Sequence, residues 1–142
     1  MVIVILGILA AFALPRFADF GKDAREATLE AALGAVKSAA AIAHSQQLVD
    51  GTAKNASVKL EGQTITMVNG YPTADAAGIF LAAGLSTDYT VTGGGAAEAT
   101  ALTIQVDGAP TKADCSFTYT VPAASGTDYP APTYGTPVKT GC

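Results

Sequence analysis

The sequence predicts an α+β fold: a long N-terminal α-helix packed on a small antiparallel β-sheet, with a disulfide-closed C-terminal loop. Three observations lead there. Residues 1–15 (MVIVILGILAAFALP) carry no charged or polar side chain. Residues 23–47 continue in good helix formers, with apolar positions at helical spacing. After Gly51 the period shortens to two, and Gly, Pro and Asp-Gly breaks separate short alternating runs.

As a helix, 15 residues rise about 22 Å, short of the ~30 Å hydrocarbon core of a bilayer. No Lys or Arg precedes the run, and LPRFADF rather than a small-residue cleavage site follows it. Either the chain is an amphiphile with a short apolar tail, or it begins inside a longer apolar helix; the second reading is favoured. Leu29, Leu33, Val36 and Ala40 then form one apolar stripe, and Phe17, Phe20, Ala24, Ala27 and Ala31 a neighbouring one. Lys22 and Glu26 make an opposite-charge pair, Glu26 and Glu30 a like-charge pair. Asp50-Gly51 supplies the stop, with the helix ending near Val49. The whole helix would reach about 70 Å.

A helix that is apolar on every face must be surrounded by lipid or protein. A chain of 142 residues with a globular remainder cannot surround its own first turns. Met1, Val2, Ile3, Val4, Ile5, Leu6, Ile8, Leu9, Phe12 and Leu14 are therefore the candidate assembly residues, with membrane and sister helices as their partners. Pro15 removes the partner of the Ala11 carbonyl, and Gly7 weakens the interior. The helix is expected to kink or melt between Gly7 and Pro15.

The chain divides into residues 1–22, an apolar half-helix, and 23–142, a globular head. The head comprises an amphipathic helix over 23–49, a loop region over 50–84, and sheet and C-terminal loop over 85–142. Within it, 57–60 and 63–67 alternate across Glu61-Gly62 as a two-residue hairpin. Asn69-Gly70-Tyr71-Pro72 reads as a turn. Thr73 can cap a short helix over 74–83, stopped by Gly84. Strands are expected over 89–92, 102–106 and 116–121, with a flexible Gly93-Gly94-Gly95 and a turn at Asp107-Gly108. The tail from Pro122 shows little period and reads as loop.

Cys115 and Cys142 enclose 26 residues. Their even count and the loop-rich tail point to a disulfide in an oxidising compartment, worth about 3 kcal/mol. Two unrelated buried thiols are the alternative.

Other function classes find little support. With 8 Lys+Arg against 12 Asp+Glu the net charge is −4, the wrong sign for phosphate neutralisation, and no nucleic-acid partner is expected. One His and two Cys lack the usual fourth zinc ligand. No metal or other cofactor is expected. His44 has no visible catalytic partners and reads as a solvated helix residue. Gly93-Gly94-Gly95 lacks the Gly-Lys-Ser/Thr ending of a phosphate loop. Asn55-Ala56-Ser57 matches a glycosylation sequon, a weak signal.

The stretch MVIVILGILAAFALPRF, the Ala-rich helix after it, and a small sheet closed by a Cys pair resemble the type IV pilin family. Within the family, VNGYPTADAAGI (residues 68–79) and the CSFTYT segment look most like the mannose-sensitive haemagglutinin type of pilin. The N-terminal match is specific and the downstream match looser. Aligned on the Gly-Ile-Leu and Pro-Arg-Phe landmarks, about seven mature residues would precede Met1, which agrees with the ~20 needed to span. The early glutamate that family members use in assembly falls outside this chain. The resemblance implies cleavage and N-methylation by a prepilin peptidase, and loss of helical order over the stretch matching Gly7 to Pro15.

It also implies a structural role rather than an enzymatic one. The expected function is major subunit of a type IV pilus, held in the inner membrane before assembly machinery polymerises it into a helical filament of identical subunits on the bacterial surface. There it would serve adhesion, motility or attachment. Alanines 31, 32, 35, 39, 40 and 43 would allow close helix approach. The alternative is a pseudopilin of a type II secretion system or a minor pilin. Asp114 and Asp128 alone do not make the carboxylate cluster that the calcium loop of a major pseudopilin needs.

Overall fold

The structure, a computed structural model, describes residues 1–142, with the side chains of residues 13–19 outside the described set. Helix α1 runs Val2–Asp50. Gly51 terminates it at φ 62°, a left-handed conformation that glycine adopts without a Cβ penalty, and donates its N–H to the Gln47 carbonyl. The expected Pro15 kink and the Leu14 assembly position lie outside the described residues.

Leu29, Ala32, Val36, Ala40, Ala43 and Gln47 are buried on one face of α1. Their spacings of three and four put them on a single stripe. Three antiparallel units cover it. Strands β1 (Val58–Leu60) and β2 (Gln63–Ile65) pair through Val58 opposite Ile65. Glu61 and Gly62 both take positive φ in the turn between them, as a two-residue hairpin requires. Strands β3 (Met67–Val68) and β4 (Tyr71–Pro72) form a second small hairpin around Asn69-Gly70.

The main sheet has four strands in the order β5-β6-β7-β8. These are Tyr89–Gly93, Ala101–Val106, Ser116–Thr120 and Thr133–Tyr134. Leu102, Ile104 and Val106 of β6 and Phe117 and Tyr119 of β7 point to one side and form a core with the α1 stripe. Alternation with period two is what puts them there. Val58, Ile65 and Met67 form a second cluster with Ala43.

The expected elements differ from this fold in four places. The turn at 69–72 is instead the tip of a hairpin whose strands are two residues each. The short helix begins at Ala76 rather than 74, as a π-helical turn over Ala76–Phe80 that continues helically through 81–82 to the expected stop at Gly84 (φ 61°), and its N-cap is Asp75, whose carboxylate accepts from the Gly78 N–H at 2.8 Å. Thr73 is buried instead and donates its hydroxyl to Asp75. Gly78 breaks the helical path at φ −97°, ψ −107°, where a Cβ would sit 2.2 Å from the Thr73 carbonyl oxygen. The triple glycine is docked: Gly95 N–H donates to Ala74 at 2.8 Å, and a Cβ on Gly94 would lie 2.1 Å from the Ala74 carbonyl oxygen. Finally, the tail contributes β8 to the sheet and a further bridge between Val138 and Ser116.

Candidate assembly surface

Nine of the ten predicted assembly residues share one environment. Met1, Val2, Ile3, Val4, Ile5, Leu6, Ile8, Leu9 and Phe12 are all exposed, from 56% at Ile8 to 105% at Met1. Among the described residues, none folds back on them. Gly7 lies among them with open space around the position of a Cβ. Uncharged aliphatic area of this extent is far beyond the patch size a monomer usually shows to water. Among the described residues, no helix is long and apolar enough to cross a membrane.

The apolar surface continues onto the outward side of α1 in the head. Phe20, Ile42, Leu48 and Val49 are exposed there, between 57% and 81%. Ala24, Ala27, Ala31 and Gly34 lie exposed along the same side. Of the alanines expected to ease helix approach, Ala32, Ala39, Ala40 and Ala43 are instead core, Ala35 is half-buried, and Ala31 is exposed. Sequence reading found the Phe20 stripe and missed Ile42, Leu48 and Val49. Continuing that stripe at helical spacing, from Gly34 past Ser38, would have reached them.

The disulfide joins Cys115 at the start of β7 to Cys142, with Cα atoms 4.8 Å apart. It closes the tail against α1. Lys139 forms ion pairs with Glu30 and, at 4.0 Å, with Glu26, and Lys22 pairs with Glu26 at 3.6 Å. The Glu30 hydrogen bond raises the pKa of Lys139. Arg25 Nε donates to the Cys142 carbonyl. One helical turn therefore holds the end of the tail.

The remaining chemistry-bearing groups serve packing. His44 is half-buried rather than solvated: its ring stacks on Tyr71 at 4.3 Å, and Nδ1 lies 2.7 Å from the Gly70 carbonyl oxygen. Tyr119 is fully buried and donates to the Pro72 carbonyl; burial pushes its pKa up. Asn55 of the sequon uses its Oδ1 to accept from the Asn69 N–H. No group of three or more His, Cys, Asp or Glu able to hold a metal occurs among the described residues.

No family profile matches the chain, and no solved structure matches it. One curated protein does. The chain is 52% identical over 46 residues to the type IV narrow pilus major component PilA5 of Thermus thermophilus. The match covers 32% of this chain and 40% of that protein, so the chain spans less than half the length of the relative it matches. A long helix, small antiparallel sheets and the Cys115–Cys142 bridge are features of the pilin fold. The partial match and this architecture together support a type IV pilin.

Proposed function

We propose that the chain is the major structural subunit of a type IV pilus, polymerising through its apolar N-terminal helix into a helical surface filament. The relative's role as a pilus major component supports a pilus subunit, and with it a structural rather than catalytic protein. The observation that carries the polymerisation is the bare helix: nine large apolar side chains between Met1 and Phe12 are exposed, and none of the described residues covers them. Burial returns about 25 cal/mol per Å² of apolar surface, so sister helices are strongly favoured neighbours over water. Leu14 belongs to the same apolar run, and Gly7 and Pro15 are the positions where the helix would yield as subunits pack. Before assembly the same surface would be held by the inner membrane, from which the assembly machinery would draw it. The filament would act at the cell surface in adhesion, motility or attachment.

Electron microscopy of the sheared cell-surface fraction, labelled with antibody to the head, tests this. Labelled filaments of many subunits are expected. Label confined to the envelope, without filaments, would move the chain to a pseudopilin or a minor pilin.

A further inference from the structure

Asn69 and Gly70 form the tip of the β3–β4 hairpin with φ of 53° and 87°. The turn geometry asks for this pair, since Asn and Gly tolerate positive φ best. The same pair is the chemically weakest in a polypeptide. With no side chain on glycine to obstruct it, the Gly70 nitrogen, once deprotonated, can attack Asn69 Cγ. The new N–Cγ bond forms a five-membered succinimide as the Cγ–Nδ2 bond breaks and ammonia leaves, taking a proton from water. Water then opens the ring to aspartate or isoaspartate, and no redox change occurs.

We propose that Asn69 is a latent deamidation site which the fold holds shut. Both reacting groups are occupied. The Gly70 N–H donates to the Lys54 carbonyl at 2.8 Å, so its proton is held on the nitrogen that must lose it. The Asn69 amide donates from Nδ2 to Glu98 and, at 3.2 Å, to the Pro122 carbonyl. Rotation of the amide toward Gly70 breaks both. The Asn69 backbone N–H is fixed in turn by Asn55 Oδ1 at 2.9 Å, and the residue is 6% exposed, which limits access of hydroxide. Glu98 is the central hold, because the same carboxylate oxygen also accepts from the Ala124 N–H at 3.0 Å. These bonds keep its pKa below the ordinary value, so it stays an acceptor through neutral and alkaline pH. Conversion would set a new carboxylate against Glu98 and the Pro122 carbonyl and open the clasp for good.

The chain contains two asparagines, and Asn55, followed by Ala56, is the internal control in the unfolded chain. The oxidised, folded chain and the same chain reduced in guanidinium would be incubated at mildly alkaline pH. Deamidation and isoaspartate at each asparagine would be read by tandem mass spectrometry. In the unfolded chain Asn69 should convert well ahead of Asn55. Folding should slow Asn69 by about tenfold or more, since reaction then requires local opening. In folded protein Glu98→Ala should restore most of the lost rate at Asn69, and Glu98→Gln, which keeps an acceptor oxygen, should restore less. Equal rates at Asn69 in the folded and unfolded wild-type chains would overturn the proposal, and that comparison needs no variant to fold. A folded Glu98→Ala protein with the wild-type rate would remove Glu98 as the hold.

Discussion

Gln47 is the polar member of the buried α1 stripe, 4% exposed. Its Nε2 lies 3.1 Å from each of the carbonyls of Ala53, Lys54 and Ala56, so two amide hydrogens are shared among three acceptors. This one side chain ties the segment after Gly51 back to the end of α1. Gln47→Ala should destabilise the head by about 2 kcal/mol, because the carbonyls lose their donor where water replaces it poorly. Chemical denaturation of the two proteins would measure it. Glu98 contributes to the acid response. Its pKa is lowered from 4.5, first by the Asn69 side chain and then by the Ala124 N–H. A depressed folded-state pKa contributes stability above the unfolded value, and that stability is lost as pH falls through the folded value. Asp107, lowered from 3.8 chiefly by its hydrogen bond to Lys112, acts in the same direction. Melting temperature should therefore decline below about pH 4.5, and Glu98→Gln should flatten the upper part of that decline.

The elements differ in how far local sequence specifies them. The α1 stripe, the Glu61-Gly62 hairpin and strands β6 and β7 follow from periodicity, because each is long enough, or has a sharp enough turn, for the pattern to register. The tail strand does not. Thr133 and Tyr134 form only two residues of β8, amid prolines, and nothing local distinguishes them from loop. Their place is set by remote contacts: Gly135 N–H donates to the Thr118 carbonyl at 2.9 Å, and a Cβ on Gly135 would crowd Thr118 Oγ1. The short helix starts later than expected because Thr73 is buried, with its N–H donated to the Thr66 carbonyl, and Asp75 takes over as the cap. The exposed apolar run was legible because fifteen residues without a polar group need no tertiary information. Its continuation through Ile42 and Val49 keeps helical spacing but is interrupted by Gly34 and Ser38, which carry no large apolar side chain. At this scale the disulfide gives a test. Closing a loop with a sequence separation of 27 is worth about 3 to 4 kcal/mol. Reduction should lower stability by that order and strip hydrogen-exchange protection from the amides of Gly135, Val138 and Cys142 first, leaving the β5–β6 pairing protected.

For the whole molecule, two parts with opposite solvent needs share one helix. If filament formation rests on the apolar half, Ile5→Asp or Leu9→Asp should abolish filaments in the sheared fraction. A fragment beginning at Ala24 should still give the circular dichroism and cooperative melt of a folded head. Filaments at normal yield from either variant would refute the assembly role. The turn from Arg25 to Glu30 sits where the helix enters the head, and the end of the tail is fastened to that same turn by Arg25 and Lys139. From there the disulfide leads directly into β7, next to the middle of the sheet. Tension applied along the helix axis thus has a covalently reinforced path into the sheet, and the head is loaded in shear across several attachments instead of being peeled open from one end.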